Sequence, residues 1–234
     1  MAFAGLDPFR FFDPDPRIRT IASDLYADIK NLPILSPHGH TDPKWFAENK
    51  PFSDPANLLI TPDHYIFRML YSQGLSLEDL GIARLDGGRV ERDPKKIWQL
   101  FASHYYLFAG TPVANWFDHI LNEVFHIHEP LTLDSESAIY DSIDAELQTP
   151  EFLPRSILDR FKVELISTTD DATHILDHHK VIQDSDWSGR VIPTFRPDSV
   201  TNIIYPDWKQ NINNLGQLLG TELDSYPKFV TALE

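Results

Sequence analysis

The chain has 234 residues, with 20 Lys and Arg against 35 Asp and Glu, so its formal net charge is −15 at pH 7. This acidic balance disfavours nucleic acid and anionic membranes as partners, because both require basic groups that displace counterions. Cysteine is absent, which excludes disulfides, thiolate metal sites and a cysteine nucleophile. The N-terminus lacks the basic and apolar regions of a secretory signal, and we therefore expect a cytoplasmic location.

The first predicted element is an amphipathic helix over residues 16–30, with Pro16 near its start. Its apolar residues recur at three- and four-residue spacing: Ile18, Ile21, Leu25 and Ile29. A short apolar run over residues 32–35 follows and predicts a buried strand. The chain therefore begins with a helix that leads into a strand.

Two histidines, His38 and His40, follow this strand directly. Pro37 and Gly39 break regular structure there, so both imidazoles can turn toward one point at the carboxyl end of the strand. Active sites of parallel α/β barrels lie at that end. Two neutral imidazoles suit a divalent transition metal, and the order of affinities favours zinc over manganese. We expect His38 and His40 to be metal ligands.

Residues 56–157 predict a long helical region without a convincing strand, punctuated by glycines at helix ends. Its predicted helices cover residues 62–74, 93–108, 111–125 and 135–148. A second histidine pair, His126 and His128, follows a predicted helix rather than a strand, and we interpret it as part of an exposed turn. Helical spacing predicts that the aromatic residues of this region form a core: Trp98, Phe101, Tyr105, Phe108 and Trp116.

Extended structure returns at residues 163–167 and 190–195, with predicted helices over residues 172–182 and 207–219. This alternation of strand and helix is typical of βαβ units on a parallel sheet. The predicted domain organisation has three segments: an N-terminal helix and first strand (1–50), a helical insertion (51–158) and a continuation of the sheet (159–234).

Polar residues follow each of the later predicted strands, where they would share an edge with the histidines. Asp170 and Asp171 follow the second strand, and Arg196 and Asp198 follow the third. Arg196 can offer a two-pronged donor to a carboxylate. Two alternatives stay open: one of the aspartates caps the next helix, and Asp198 pairs with a local arginine. His178 and His179 are adjacent on a helix, so only one of them can face the sheet.

Five motifs in order resemble the uronate isomerase (glucuronate isomerase) family of the amidohydrolase superfamily. They are Leu32-Pro33-Ile34 with His38-Gly39-His40, Asp63-His64-Tyr65 with Arg68, Gly110-Thr111-Pro112 with Trp116, Thr168-Thr169-Asp170-Asp171 with His178-His179-Lys180, and the run from Val191 through Arg196-Pro197-Asp198. The resemblance implies the N-terminal part of a TIM-like (β/α)8 metal-dependent barrel, with a large helical insertion after the first strand. Only three of the eight strands are readable, so the barrel is incomplete in this chain.

The resemblance also implies interconversion of a hexuronate aldose and its ketose by proton transfer between C2 and C1. Glucuronate with fructuronate, and galacturonate with tagaturonate, are the substrate pairs it suggests. For this reaction we expect His64 and Asp170 to act in catalysis, and the substrate to be bound by His64, Tyr65, Arg68 and Arg196, with Arg196 as the anchor for the distant carboxylate. The divalent metal on His38 and His40 would polarise a substrate oxygen. The family's Asp metal ligand comes from its last strand, which has no match here, so we expect the 234 residues alone to be inactive.

Two other functions stay open at this point. One is a metal-dependent hydrolase of the same superfamily, because a histidine pair at the first strand also serves amide and ester hydrolysis. The other is a non-catalytic module that binds a sugar acid. Association into homo-oligomers is left open as well, since unpaired sheet edges favour it.

Overall fold

The computed structural model describes residues 6–234, and Met1–Gly5 of the predicted N-terminal segment lie outside the described residues. In chain order the helices and strands are α1 (Pro16–Ile29), β1 (Ile34–Ser36), α2 (Pro43–Glu48), α3 (Pro55–Leu59), α4 (His64–Ser72), α5 (Pro94–Ser103), α6 (Pro112–His119), α7 (Glu136–Leu147), α8 (Pro154–Arg160), β2 (Val163–Asp171), α9 (Asp177–Gln183), β3 (Arg190–Arg196), α10 (Asp198–Thr201), α11 (Trp208–Leu219) and α12 (Tyr226–Leu233). Among these residues, no helix combines the length and the apolar character needed to cross a lipid bilayer.

The chain divides into two compact units. Unit 1 comprises the residues up to Asn31 together with Pro51–Leu153, and unit 2 comprises Leu32–Lys50 together with Pro154–Glu234. Unit 1 is helical in its described residues, whereas unit 2 contains the sheet. The predicted alternation of helix and strand at the two ends of the chain is thus confirmed as an α/β fold with a small parallel sheet.

Four of the helices in the described part of the chain begin at Asp-Pro dipeptides, and each uses the two residues in the same way. At α1, for example, Asp15 accepts hydrogen bonds from two free backbone N–H groups, while Pro16 occupies the first turn. Proline suits that position because its fixed φ is helical. An N–H in the first turn has no acceptor within the helix, so the absence of this group in proline loses no hydrogen bond. The other dipeptides of this kind are Asp42-Pro43, Asp54-Pro55 and Asp93-Pro94.

An aromatic core holds unit 1 together. Trp98 and Phe101 of α5 and Phe117 of α6 are buried, with ring centroids 5.0 to 6.1 Å apart. The indole N–H of Trp98 donates to the buried carbonyl of Glu136 at 2.9 Å. The predicted core is confirmed here, but the prediction was wrong for Trp116, which is 53 % exposed. Trp116 lies one residue before Phe117 on α6, so its side chain points away from the face that Phe117 buries.

The three strands of unit 2 form a parallel sheet in the order β1–β2–β3. The prediction that the first strand is buried was wrong, since Ile34 and Leu35 are 49 % and 63 % exposed. The reason is that β1, among the described residues, pairs with a strand on one side only. One apolar cluster of unit 2 joins α2, α8, α9 and β3. Its buried members are Phe46, Leu158, Ile182 and Val191.

The second strand is longer than predicted, and the next helix starts later. β2 continues to Asp171 because β3 pairs with it as far as Arg196. The Asp171 carboxylate then accepts hydrogen bonds from the backbone N–H and the hydroxyl of Thr173 at 2.9 and 2.7 Å. This side-chain turn delays α9 to Asp177, five residues after the predicted start. Neither Asp170 nor Asp171 caps α9, since Leu176 occupies that position.

Candidate functional site

The two histidines after β1 converge. The Nε2 atoms of His38 and His40 lie 3.1 Å apart, and their rings meet edge to face. Two zinc–nitrogen bonds of about 2.0–2.1 Å at a tetrahedral angle would separate the nitrogens by roughly 3.3 Å. The pair therefore has the donor atoms and the spacing of two metal ligands. Within residues 6–234, no group of three or more His, Asp or Glu is arranged to hold a metal.

Alternation along β2 sends its polar side chains to opposite faces of the sheet. Thr168 and Asp170 share the face that packs against α9, because Thr168 contacts His179 of that helix. Thr169 lies on the opposite face, where its hydroxyl donates to the carbonyl of Gly39 at 2.8 Å. The carboxyl end of β2 thus contacts α9 on one face of the sheet and the loop after β1 on the other.

A buried hydrogen-bond chain joins His179, Thr168 and Asp170. The Thr168 hydroxyl lies 2.6 Å from Asp170 Oδ2 and 2.7 Å from His179 Nε2. A carboxylate only accepts, so Thr168 donates its single proton to Asp170 and accepts from the Nε2–H of His179. This order of donors fixes the tautomer of His179. Its Nδ1 is buried without a hydrogen-bond partner among the described residues.

Burial also sets the charge of His179. It lowers the pKa of the imidazole, and the nearby Asp170 carboxylate opposes that shift without cancelling it. His179 is therefore a neutral donor near pH 7. The adjacent His178 is exposed, which agrees with the prediction that the two side chains point in different directions.

A cleft of about 670 Å³ opens beside these residues, and both His40 and Asp170 line it. Its other polar lining side chains include Asp42, His174 and His178. The structure thus brings Asp170 into the same cleft as one member of the histidine pair. The Asp170 carboxylate, however, accepts its hydrogen bond from Thr168 of the same strand, and imidazole nitrogens of His174 and His179 lie 3.9 and 3.6 Å from its oxygens.

Arg196 ends β3 and pairs locally. Its Nε donates to Asp198 Oδ2 at 3.0 Å, as predicted by the alternative that Asp198 pairs with a local arginine. The pair uses only Nε of the guanidinium. Its two terminal nitrogens have no hydrogen-bond partner among residues 6–234. A guanidinium held in this way keeps an edge for a carboxylate.

The remaining predicted site residues, His64, Tyr65 and Arg68, lie in unit 1 on the first turns of α4. Asp63 caps this helix, accepting from the backbone N–H groups of Tyr65 and Ile66 at 2.8 and 3.2 Å. The His64 and Tyr65 rings lie 4.3 Å apart, and all three side chains are exposed. His64 is therefore neither a cap nor a buried structural group.

Two features of the site were missed in the sequence. Trp116 is an exposed aromatic whose ring lies 6.3 Å from that of Tyr65, edge to face, so unit 1 presents two aromatic surfaces together. Its place beside the buried Phe117 was the available signal, because neighbouring helical residues cannot face the same way. The pairing of Thr168 with His179 had no local signal, since the two residues lie on different elements.

These observations define an α/β protein whose parallel strands end in imidazole, carboxylate, hydroxyl and guanidinium groups. The model of a family described as glucuronate isomerase matches residues 17–234. A uronate isomerase of Mesorhizobium japonicum is 51 % identical over 226 residues, which cover 97 % of this chain and 48 % of that protein. One of Rhizorhabdus wittichii is 46 % identical over 228 residues, with the same two shares.

Solved structures agree. The crystal structure of glucuronate isomerase from Caulobacter crescentus superposes with a TM-score of 0.93 at 42 % identity, covering 97 % of this chain and 47 % of that one. Uronate isomerase from Thermotoga maritima gives 0.81 at 29 % identity, covering 92 % of this chain and 45 % of that one. The chain belongs to the glucuronate isomerase family. It spans about half the length of the curated relatives it matches.

Proposed function

We propose that this chain forms the N-terminal part of a uronate isomerase, which interconverts D-glucuronate with D-fructuronate and D-galacturonate with D-tagaturonate. The convergence of His38 and His40 to 3.1 Å at the end of β1 carries the proposal, in a chain that belongs to the glucuronate isomerase family. We also propose, from the family resemblance, that its three strands belong to a (β/α)8 barrel and that it acts in the cytoplasm.

The reaction requires a hydrogen to leave C2 and another to enter C1, while the proton of the C2 hydroxyl passes to the C1 oxygen. The composition of the sugar is unchanged. A divalent metal held by His38 and His40, zinc in our proposal, would polarise a substrate oxygen when bound. The donor set fits in its chemistry and spacing: the two Nε2 atoms share a hydrogen bond of 3.1 Å in this structure, and both would serve as acceptors toward a metal once that proton is lost.

The protein side chains have separate proposed tasks. Arg196 binds the distant carboxylate with the two terminal nitrogens that its pairing with Asp198 leaves over. His64 moves a proton during the reaction, a task for which an imidazole has both a donor and an acceptor nitrogen. Tyr65 and Arg68 line the sugar pocket beside it. The assignment of Asp170 to catalysis stays a prediction, supported by its position in the cleft that His40 also lines.

The test is incubation of the full gene product, supplied with zinc, with D-glucuronate and D-galacturonate, followed by NMR. We expect ketose signals to appear at constant total sugar. A hydrolase would leave uronates untouched and release acid or amine from an ester or amide. Binding of uronate without conversion would favour a non-catalytic module and contradict the proposal.

Arg196 offers a matched pair of variants. Arg196→Met removes the proposed carboxylate anchor and should raise KM about tenfold or more, because a charge-assisted hydrogen bond contributes about 1.5–3 kcal/mol. Arg190→Met changes the same residue type at the opposite end of β3 and should leave KM unchanged. Equal effects of the two substitutions would contradict the proposed role of Arg196.

A further inference from the structure

The loop that carries the two histidines leaves the sheet before it reaches them. Backbone pairing of β1 with β2 ends at Ser36, opposite Ile166. His38, Gly39 and His40 follow without a ladder to hold them. The geometry of the histidine pair must therefore depend on contacts other than strand pairing.

Gly39 is the point at which this loop meets β2. A Cβ added at Gly39 would lie 3.3 Å from the carbonyl oxygen of Ser167 and 3.6 Å from the Ile166 side chain. The backbone between the two histidines is thus packed closely against the strand. From that strand, the Thr169 hydroxyl donates to the Gly39 carbonyl at 2.8 Å.

Thr169 itself stands on a well-held part of the sheet. Its backbone pairs with Thr194 of β3. Its two neighbours, Thr168 and Asp170, point to the other face and belong to the buried chain that ends at His179. The hydroxyl that reaches Gly39 is therefore presented from a strand end held at one edge by β3 and on one face by the buried chain, and precise sites are supported in this way.

We propose that Thr169 is a positioning residue for the metal site, because its hydrogen bond to the Gly39 carbonyl fixes the loop in which His38 and His40 converge. The inference rests on the proposed metal-binding role of those two histidines. Thr169 does not touch the metal or the substrate in this account. It acts on the backbone between the two ligands, and groups that support ligands in this way typically change metal affinity 10–100-fold.

The experiment measures zinc affinity of the full gene product by competition with a chromophoric chelator, after removal of bound metal. Thr169→Val should weaken zinc binding about tenfold, and Thr169→Ser should restore the wild-type affinity by restoring the hydroxyl. Thr169→Ala provides a second removal without a branched side chain, should the valine variant fail to fold.

Thr61→Val is the matched control. The Thr61 hydroxyl also donates to a backbone carbonyl, that of Leu80 at 3.2 Å, but it lies in unit 1. Its loss should lower stability without changing zinc affinity. An equal loss of affinity in Thr61→Val and Thr169→Val would show a general effect of stability and overturn the inference.

The proposed role of Thr169 and the proposed metal site can be disproved separately. Zinc affinity that is lost in His38→Ala and His40→Ala but unchanged in both Thr169→Val and Thr169→Ala overturns the role of Thr169 alone. Zinc affinity that is unchanged in the histidine variants overturns the metal assignment of the proposed function and this inference with it.

Discussion

The apolar core is larger in unit 1 than in unit 2, although both units bury polar side chains. Unit 1 is built on apolar rings, with Trp98, Phe101 and Phe117 in mutual contact. Unit 2 has a smaller apolar cluster and, in addition, buries a polar chain of Thr168, Asp170 and His179 at a strand end. Apolar side chains can pack in many relative orientations, whereas the hydrogen bonds of a buried polar chain hold only in specific directions. We infer that the stability of unit 1 rests mainly on packing, beneath the exposed site residues of α4, and that the strand end of unit 2 depends on directed hydrogen bonds.

The largest effect is expected in the core of unit 1. Trp98→Ala removes a fully buried ring and leaves the Glu136 carbonyl without its donor, so it should reduce the free energy of unfolding by about 3–5 kcal/mol. Urea denaturation measures the loss. Trp116→Ala, at an exposed tryptophan, is the control and should cost less than about 1 kcal/mol. Similar losses for both variants would contradict the division between core and surface.

A smaller effect is expected in the buried chain of unit 2. Thr168→Val keeps the shape of the side chain but removes the hydroxyl between His179 and Asp170, which should cost about 2 kcal/mol. Thr168→Ser keeps the hydroxyl and should retain most of the stability. A neutral result for Thr168→Val in the same denaturation experiment would show that the chain contributes no specific geometry.

The start of α4 should respond more weakly again. Asp63→Ala removes the oxygen that accepts from Tyr65 and Ile66, and loss of such a cap costs about 1 kcal/mol. Asp63→Asn preserves a capping oxygen and should behave like the wild type. If both variants lose the same stability, the charge of Asp63 rather than its capping bonds holds this helix end.

The smallest effect concerns pH. Burial lowers the pKa of His179 in the folded protein, so the unfolded chain binds a proton more readily. Stability should therefore be complete above the ordinary histidine pKa of about 6.5 and should fall as the pH drops below it. In urea denaturation between pH 7 and 5, His179→Gln should lose less stability than the wild type. His178→Gln removes a neighbouring charge that adds to this lowering of the pKa, so its curve should lie between those of the wild type and His179→Gln. Parallel curves for all three proteins would refute the prediction.

Periodicity predicted seven of the described helices and the parallel sheet of this fold, but it did not predict α2, α3, α8, α10 and α12. The amphipathic spacing of residues 16–30 and the apolar runs near residues 163 and 190 each correspond to an observed element. Boundaries were less predictable where side chains set them. The turn made by Asp171 with Thr173 extends β2 and delays α9, and nothing in the apolar pattern reports such a turn.

The two histidine pairs show what the sequence could and could not reveal about the site. His38 and His40 follow a strand and converge, whereas His128 lies in an exposed turn and pairs with Asn122, as expected for a pair that follows a helix. The two pairs could be distinguished in the sequence because a predicted strand precedes the first and a predicted helix precedes the second. The support of the first pair by Thr169 could not be predicted, because it depends on the register between two distant strands.

The most direct test of the account is the isomerisation of D-glucuronate by the full gene product and by its His38→Ala/His40→Ala double variant, with zinc supplied to both. If the histidine pair provides the chemistry that unit 2 is built to position, the double variant should lose more than about 100-fold in kcat/KM while remaining folded. Unchanged kcat/KM in a folded double variant would contradict the central claim, since the convergence of the two imidazoles would then serve no step of the reaction.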